Sequence, residues 1–365
     1  MARDPLIAYV FLRNSVFGPK GAASVELCVR DLIRHSRYAG STLVMCPKVD
    51  EPFPGVAINT VPNVAFGGNL AKAWTVGKLL KRRGVDIAIV ENHLPAAAFV
   101  AASSGLPVIL HSHAYEKAAK GALKRAERDF HLRRIAGLAF VSEDCLARFR
   151  KNHPNAHAPM RAIPNGLDMA DWSSGGSKDK TILSVGRALD DKGHREAMAA
   201  IARVLASRPD WSARFILSAV DREPETVRAL RDAAAPFGER VRIDANLPYA
   251  DVKSAWAKAA IGMALTKTPE PFGRTALEAL ASGTALVTSG IGGLAEVCGP
   301  DALTVDPGDA DAVASVLTLL VDSHELRANL ARAGRTRVTA LYDMPLVARR
   351  MDDFIEEALG SRKKR

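Results

Sequence analysis

The chain has 365 residues, of which 48% are hydrophobic and 25% are charged, and this length and composition predict a globular protein of two domains rather than a disordered or fibrous one. Its four cysteines are scattered without a C-x-x-C pair, which argues against a disulfide scaffold and a zinc ribbon and favours reduced thiols. The net charge of +10 favours anionic partners in general, such as nucleotides, phosphorylated acceptors, membrane surfaces or nucleic acid.

The beginning of the chain predicts a strand and not a secretion signal. Met1–Pro5 leads into a seven-residue apolar run at Leu6–Leu12, which is typical of a buried strand in a parallel sheet. The longest uncharged run, Leu94–Leu110, is interrupted by Gly105 and Pro107 and predicts a helix, a turn and a strand instead of a membrane span. We therefore expect a cytoplasmic protein.

A loop of small residues, Phe17–Ser24, follows the first strand and precedes an amphipathic helix at Val25–His35. Glycine in the loop between the first strand and first helix of an α/β domain allows the backbone to approach a diphosphate closely. The loop matches neither the G-x-G-x-x-G fingerprint nor the P-loop, so an ordinary turn is the simpler interpretation of these residues alone.

Two later helices of the first half are rich in lysine and arginine, and we predict them at Ala71–Arg83 and Tyr115–Arg134. This pattern fits electrostatic binding to an anionic membrane surface. It fits equally well two helix faces that are simply exposed to solvent. Salt-sensitive binding to anionic vesicles distinguishes the two interpretations.

Polar residues follow two predicted strands of the first half, at Val85–Val90 and Pro107–His113. The first strand ends in Glu91–His93, and parallel α/β sheets bind ligands at the carboxyl ends of their strands. A lone histidine is more often structural than functional. His113 is nevertheless a candidate site residue because it lies just past a buried strand, and His111 is the alternative if that strand ends two residues earlier.

The clearest break in the chain is the polar stretch at residues 171–179, which we predict to be a linker. The first domain is then expected over residues 1–170 and the second over residues 180–345. Residues 346–365 are expected to form a final helix and a basic tail.

The second domain restarts the pattern with a strand at Thr181–Arg187, a Lys-Gly pair and a helix at Arg195–Ala206. Arg187 and Lys192 are thereby expected beside a helix start, where both can contact a diphosphate. Arginine offers a bidentate fork for phosphate oxygens and lysine a point charge. A pair of surface cations is the alternative interpretation.

The functional prediction depends most on the string from Thr268 to Glu278. A short apolar strand at Ala260–Leu265 precedes it, and a strong helix former at Thr275–Ala281 follows its Phe-Gly pair. A helix start offers unpaired N–H groups and a positive dipole end, which bind phosphate well. Glu270 in the loop and Glu278 inside the helix are acceptors for hydroxyl groups. A nucleotide sugar fits this layout, although a solvated loop and helix are the ordinary alternative.

The strings Glu270–Thr288 and Gly292–Val297 closely resemble the retaining glycosyltransferases of family four, whose hallmark is two glutamates separated by seven residues. The Gly-Arg and Lys-Gly pairs resemble the diphosphate clamp of that family, and Pro164–Asp168 resembles the string before its linker. The resemblance implies an α/β protein of the GT-B fold, with two Rossmann-like βαβ domains facing each other across a cleft. It also implies that the last helix packs back across both domains.

The resemblance implies roles for individual residues. A nucleotide sugar would bind mostly to the second domain, with Glu278 on the ribose hydroxyls and Glu270 on the sugar hydroxyls. No cofactor and no metal are expected, because protein groups stabilise the leaving diphosphate and the chain has no D-x-D string. The predicted donor-binding residues are Gly21, Ala22, Arg187, Lys192, Leu247, Glu270, Phe272, Gly273, Arg274 and Glu278. The predicted catalytic residues are His113, Glu270, Arg187 and Lys192.

Four of these residues are assigned by their position in the family pattern. Gly21 and Ala22 match the place of its glycine pair, with alanine replacing the second glycine. The backbone at Leu247 matches a contact with the nucleotide base, and His113 matches a histidine that contacts the donor sugar.

Other functions fit the sequence less well. Gly290–Ala295 reads G-x-G-x-x-A as in a dehydrogenase, but too little chain follows it for a complete dinucleotide-binding half. Aromatic content of 6% and the lack of a zinc-finger, RNP or helix-turn-helix string argue against nucleic-acid binding. A phosphorylase would need a lysine for pyridoxal phosphate in a far longer chain. A sugar-nucleotide epimerase of the same fold is the closer alternative, although the paired glutamates resemble transferases better.

The sequence thus predicts a retaining, metal-independent hexosyltransferase of envelope glycolipid or polysaccharide synthesis. Its expected partners are a nucleotide sugar, an acceptor glycan or glycolipid, and an anionic membrane surface at the inner face of the cytoplasmic membrane. No nucleic acid is expected as a partner. The sugar, the base and the acceptor stay open at this point.

Overall fold

The computed structural model describes residues 3–12, 15–62, 68–172 and 176–362, and it divides into two compact units. The first unit contains Met1–Gly166 together with Met344–Arg365, and the second contains Leu167–Asp343. Residues 173–175 of the predicted linker and residues 363–365 of the predicted basic tail lie outside the described residues.

The first unit contains a parallel sheet of seven strands with the order β3-β2-β1-β4-β5-β6-β7. The strands are β1 (Ile7–Val10), β2 (Thr42–Cys46), β3 (Ala57–Thr60), β4 (Ile87–Glu91), β5 (Val108–Ser112), β6 (Gly137–Phe140) and β7 (Met160–Ala162). The helices between them are α1 (Ser24–His35), α2 (Gly68–Arg82), α3 (Leu94–Ser104), α4 (Ala122–Leu132) and α5 (Glu143–Asn152).

The second unit contains a parallel sheet of six strands with the order β10-β9-β8-β11-β12-β13. Its strands are β8 (Asp179–Arg187), β9 (Ser212–Ser218), β10 (Val241–Ala245), β11 (Ala259–Ala264), β12 (Ala285–Thr288) and β13 (Leu303–Thr304). Its helices are α6 (His194–Ser207), α7 (Pro224–Ala234), α8 (Tyr249–Lys258), α9 (Arg274–Ala281), α10 (Gly293–Cys298), α11 (Ala310–Asp322) and α12 (His324–Tyr342).

Both sheets have the strand order of a Rossmann fold, and this confirms the predicted pair of Rossmann-like domains. Every residue of the inner strands β1, β4 and β5 is buried. Strands that are covered by helices on both faces are expected to be continuously apolar, because neither face of the strand meets water. In each sheet the strand order reverses beside the first strand of the unit, between β1 and β4 and between β8 and β11.

The last helix, α13 (Met344–Arg362), belongs to the first unit. It packs against α1 and β5. The buried carboxylate of Asp352 accepts hydrogen bonds from the hydroxyl of Ser36 at 2.6 Å and from the backbone N–H of Arg37 at 2.9 Å. The end of the chain therefore completes the unit in which the chain began.

The helix predicted at Tyr115–Arg134 is shorter in the structure, because α4 begins only at Ala122. Gly121 precedes it with a φ of 85°, a left-handed conformation that glycine adopts without the strain of a side chain and that a helix cannot continue through. Helices α5, α8 and α12 were not predicted from the sequence, because their charged residues weaken the apolar pattern.

No helix in the described ranges is both long and apolar enough to cross a bilayer. The four cysteines are all buried, and they form no disulfide in this part of the chain.

Candidate functional site

The candidate site of the second unit lies at the carboxyl ends of β8 and β11, where the strand order reverses. Arg187 is the last residue of β8, and its side chain is exposed. Among the described residues no hydrogen bond or ion pair holds this guanidinium. Ligands of doubly wound sheets bind at such reversal points because the two loops leave in opposite directions and open a crevice.

The loop after β8 is fastened to the loop after β11 by backbone and side-chain contacts. The carbonyl of Asp191 accepts hydrogen bonds from the N–H of Lys267 at 2.8 Å and from the hydroxyl of Thr266 at 3.1 Å. The ammonium of Lys267 binds Asp190 at 2.6 Å and Glu196 at 3.0 Å. These bonds bring two segments of the chain together that are about 75 residues apart.

Gly193 allows this close approach. It has a φ of 68°, and a Cβ at this position would lie 1.7 Å from the carbonyl oxygen of Leu265. Any side chain would therefore push the two loops apart, since no atom can approach a backbone oxygen so closely.

Lys192 and Glu270 form an ion pair across the two loops. Their side chains are 15% and 26% exposed, so both charges are largely withdrawn from water. An interaction between charges is stronger in such a partly buried site than at the open surface. The structure thus brings together two residues that the sequence analysis placed at the same site.

The helix α9 begins beside this ion pair. Its N-cap residue is Gly273, with a φ of 99°, and a Cβ there would lie 2.6 Å from the side chain of Leu294. Phe272 is buried, while Arg274 is half-buried as the first helical residue. The first turn of a helix leaves its N–H groups without acceptors inside the helix, so this end of α9 suits an anion.

Glu278 is 3% exposed and belongs to a buried polar cluster with Tyr249 and Arg274. Its Oε1 accepts hydrogen bonds from the hydroxyl of Tyr249 at 2.8 Å and from Nε of Arg274 at 3.0 Å. Burial, together with the charge of Glu278, raises the pKa of Tyr249 well above its usual value, so this hydroxyl stays a donor. The Oε2 atom of Glu278 makes no hydrogen bond to the described residues, and it is available as an acceptor.

His194, the first residue of α6, is a buried part of this site that the sequence analysis missed. Its Nε2 lies 3.0 Å from the carbonyl of Arg187 and its Nδ1 lies 3.0 Å from the hydroxyl of Ser184. Burial lowers the pKa of His194 to about 4, so the ring is neutral, donates to Arg187 and accepts from Ser184. It ties the end of β8 to the start of α6, and its place after the Lys-Gly pair is the sequence signal that could have revealed it.

Leu247, the predicted contact with the base, follows the carboxyl end of β10 and is half-buried. The preceding Asn246 has a φ of 51°, and its N–H donates to the carbonyl of Leu217 at 2.7 Å. The backbone there is held in a left-handed conformation that few residues other than glycine adopt.

In the first unit, Gly21 and Ala22 lie in the loop between β1 and α1. Gly21 is exposed with a φ of 90°, and Ala22 is half-buried. The start of α1 already has an anionic partner, because the carboxylate of Glu26 accepts a hydrogen bond from the N–H of Ala23 at 3.1 Å. A diphosphate at this loop would therefore share the helix start with a carboxylate.

His113 follows β5 and is part of a buried cluster with Glu91 and His111. Its Nε2 lies 2.9 Å from Oε2 of Glu91, and its ring is 6% exposed. Burial and the neighbouring His111 lower the pKa of His113. From the sequence the two histidines were alternatives, whereas the structure places both beside one carboxylate.

Two sequence families match consecutive parts of the chain. Residues 25–171 match the family described as Glycosyltransferase Family 4, and residues 171–337 match the family described as Glycosyl transferases group 1. Together the two matches extend over residues 25–337.

Two curated relatives are similar over most of their length. The glycogen synthase of Mycobacterium tuberculosis (strain ATCC 25618 / H37Rv) is 27% identical over 337 residues, which cover 83% of this chain and 80% of the relative. The phosphatidyl-myo-inositol mannosyltransferase of Mycolicibacterium smegmatis is 25% identical over 365 residues, which cover 94% of this chain and 92% of the relative.

The crystal structure of Anabaena HepE in complex with UDP and glucose has a similar fold. It superimposes with a TM-score of 0.77 at 17% sequence identity, covering 96% of this chain and 99% of HepE. At this identity the likeness concerns the fold alone, and it confirms the predicted GT-B fold class.

Proposed function

Because the chain belongs to the glycosyltransferases of the GT-B fold, we propose that it is a retaining hexosyltransferase that uses a nucleotide-sugar donor. The acceptor in this proposal is a hydroxyl of an envelope glycolipid or polysaccharide. The observation that carries the proposal is the convergence, within the second unit, of Arg187, the ion pair of Lys192 and Glu270, and the start of α9.

The leaving diphosphate is proposed to bind between the two cations and the first turn of α9. Lys192 is held in place by Glu270 before any ligand arrives, and the exposed guanidinium of Arg187 can turn toward phosphate oxygens. Donors that are positioned in advance stabilise developing negative charge without reorganising during the reaction. Because these donors are protein groups, the departure of the diphosphate needs no metal ion.

The two glutamates are proposed to bind hydroxyl groups on either side of the diphosphate. Oε2 of Glu278 would accept from the ribose, since Oε1 is taken by Tyr249 and Arg274. Glu270 would accept from the donor hexose while keeping its contact with Lys192. Carboxylates are acceptors only, so each glutamate selects a hydroxyl and rejects a phosphate.

The proposed chemistry replaces one C–O bond by another on the same face of the sugar. The bond from the anomeric carbon to the diphosphate oxygen breaks, and its electron pair leaves with the diphosphate. The acceptor oxygen forms the new bond to that carbon from the side of the leaving group. The acceptor proton passes to the departing phosphate, so that no further base is consumed.

His113, Gly21 and Ala22 are the proposed contributions of the first unit. His113 directly follows β5, and Gly21 and Ala22 lie in the loop between β1 and α1, while parallel sheets bind ligands at the carboxyl ends of their strands. His113 is proposed to contact the donor sugar, and the loop at Gly21 the donor phosphates. Leu247 is proposed to contact the base through its backbone.

Exposed apolar and basic side chains on α2 and α4 support an acceptor at a membrane surface. Leu123 is 84% exposed, and Trp74 and Phe130 are 41% and 45% exposed. Lys78 lies 5.7 Å from the ring of Trp74, and Arg134 lies 3.3 Å from the ring of Phe130. Aromatic and aliphatic groups beside cations are typical of surfaces that bind anionic lipids. We call Leu123, Trp74 and Phe130 the apolar patch.

The donor is tested by thermal unfolding in the presence of UDP-, GDP- and ADP-hexoses, because a ligand that binds only the folded state raises its melting temperature. We expect one of these donors to raise Tm in the wild type and to raise it less in Lys192→Ala, since a cation of the proposed diphosphate site also contributes to donor binding. Lys180→Ala is the matched control, since Lys180 lies near the start of β8, at the end away from the loop that holds Lys192, and pairs with Asp210 at the surface.

Retention is tested by NMR of the product formed with the donor that binds. An anomeric configuration identical to that of the donor supports the proposal, and an inverted one contradicts it. Turnover of the donor to a second nucleotide sugar without any acceptor would instead indicate an epimerase. If none of the donors binds, the nucleotide-sugar proposal is wrong.

A further inference from the structure

Three buried side chains meet at the carboxyl ends of β4 and β5, in the first unit. Oε2 of Glu91 lies 2.9 Å from Nε2 of His113 and 3.3 Å from Nδ1 of His111. The two ring nitrogens lie 3.2 Å from each other. The three atoms therefore form a triangle in which every atom faces the other two. We call these residues the Glu-His-His cluster.

The cluster is almost entirely shielded from water. The side chains of Glu91, His111 and His113 are 2%, 1% and 6% exposed. Two further polar atoms of the cluster, Oε1 of Glu91 and Nε2 of His111, are buried without a hydrogen-bond partner in the described part of the chain.

No pair of neutral imidazole tautomers satisfies all three contacts of this triangle by hydrogen bonds. A carboxylate only accepts, and a neutral imidazole carries a proton on one of its two nitrogens. If both inward nitrogens are protonated, two N–H groups point at each other across 3.2 Å. If only Nε2 of His113 is protonated, its N–H can donate to Glu91 and to Nδ1 of His111, but the lone pair of that Nδ1 then faces Oε2 of Glu91 at 3.3 Å. If neither is protonated, three lone pairs point at one another, which is the arrangement of ligands around a cation.

The spacing of the three atoms fits a transition metal. Zinc binds imidazole nitrogen and carboxylate oxygen at about 2.0–2.2 Å, so ligand atoms separated as these are subtend angles of about 90–105° at the metal. Two imidazoles and one carboxylate suit zinc and its neighbours better than calcium or magnesium, which prefer sets of oxygen ligands.

The backbone holds the cluster in position from outside. Asn92 lies between β4 and α3 with a φ of 59°, a conformation that is uncommon for a residue other than glycine. Its side-chain oxygen accepts from the N–H of His113 at 2.7 Å, and its own N–H donates to the carbonyl of His111 at 2.9 Å. Both histidines are thereby fixed at their backbone.

We propose that Glu91, His111 and His113 bind a divalent transition metal ion, Zn²⁺, as a three-residue protein site with a fourth position open. This proposal goes beyond sugar transfer and does not rest on it, and the departure of the diphosphate still uses the cations of the second unit. Since the metal takes Nε2 of His113, a sugar hydroxyl would reach this residue only through the open position. The sequence did not indicate this metal site, because Glu91 and the two histidines lie at the ends of different strands.

The test uses the full chain without a histidine tag, treated with EDTA and titrated with Co²⁺, whose visible absorption reports its coordination. We expect saturation at one equivalent and displacement by Zn²⁺. We expect His111→Gln and Glu91→Gln to weaken Co²⁺ binding at least about tenfold, by analogy with the loss of metal-site residues elsewhere. His153→Gln is the matched control, since His153 is another buried histidine of this unit with an unpartnered Nε2. It should bind Co²⁺ as the wild type does.

If the variants fail to fold, X-ray absorption spectroscopy of the zinc-loaded wild type tests the proposal without them. We expect a zinc coordination shell of nitrogen and oxygen atoms that includes two imidazoles and no sulfur. Sulfur in that shell, a lack of saturable binding, or equal binding by folded His111→Gln and Glu91→Gln would overturn the proposal. A chain that binds Zn²⁺ and transfers no sugar would refute the transferase alone, and the reverse result would refute the metal site alone.

Discussion

The ammonium of Lys192 forms an ion pair with the carboxylate of Glu270, although 78 residues separate them in the chain. The pair connects the loop after β8 to the loop after β11, at the point where the strand order of the second sheet reverses. It keeps a cation beside the start of α9 before a ligand binds. The consequences for activity, stability and pH dependence can each be measured.

Replacement of Lys192 by alanine removes the partly buried cation of the proposed diphosphate site. We expect kcat to fall by about a hundredfold to a thousandfold, as when one preorganised donor of an anion site is lost, and the donor KM to change less. Steady-state kinetics with the donor identified by thermal unfolding measure both constants. Lys180→Ala should leave them unchanged, and a Lys192→Ala variant with wild-type kcat would contradict the assignment.

Replacement of Glu278 by glutamine keeps the size of the side chain and its hydrogen bonds to Tyr249 and Arg274. The lost charge should raise the donor KM by about tenfold, or roughly 1.4 kcal/mol of binding, with little effect on kcat.

Glu278→Ala should in addition lower the free energy of unfolding by about 1–3 kcal/mol, because it leaves buried donors of Tyr249 and Arg274 without their acceptor. Urea unfolding of the two variants separates the two effects. An unchanged donor KM in Glu278→Gln would refute the ribose contact.

Because His194 is buried in the folded protein, we expect the free energy of unfolding to depend on pH. Its pKa falls from 6.5 to about 4 on folding because the ring is buried, so the unfolded chain binds the proton first as the pH drops. Stability is therefore expected to fall between pH 6.5 and pH 4 by up to about 3 kcal/mol from this residue.

The measurement is urea unfolding across this pH range for the wild type and for His194→Gln. The difference in unfolding free energy between the two proteins should shrink as the pH falls, since the variant has no proton to bind at this position. Parallel curves for the wild type and His194→Gln would contradict the predicted proton linkage.

The apolar patch predicts binding to anionic membranes. We expect cosedimentation with vesicles of phosphatidylglycerol and phosphatidylcholine at low salt, weakening as salt rises. The double variant Leu123→Ser/Phe130→Ser should bind these vesicles several-fold more weakly. Leu319→Ser is the control, since Leu319 is 57% exposed on α11 of the other unit. Equal binding by all three proteins, or none by the wild type, would refute the membrane surface.

Much of the fold was predictable because parallel strands and amphipathic helices leave periodic apolar patterns. The helix predicted at Arg195–Ala206 agrees with α6, His194–Ser207, to within one residue at each end, since its apolar positions repeat with helical spacing. The start of the helix predicted at Tyr115–Arg134 was wrong. Gly121 has a positive φ, and α4 begins only after it, although the residues around this glycine favour a helix. Such an effect depends on the path of the chain and not on composition.

For the candidate site, the sequence by itself determined which residues of the second unit are proposed to carry the chemistry, because their short spacings lie within single loops. Only the tertiary structure decided which of them touch. It paired Lys192 with Glu270, buried Glu278 against Tyr249, placed His194 on the carbonyl of Arg187, and brought Glu91 to two histidines of the next strand. The physical reason is that neighbours in a parallel sheet are set by strand order and register, and these bring together residues that are far apart in the chain.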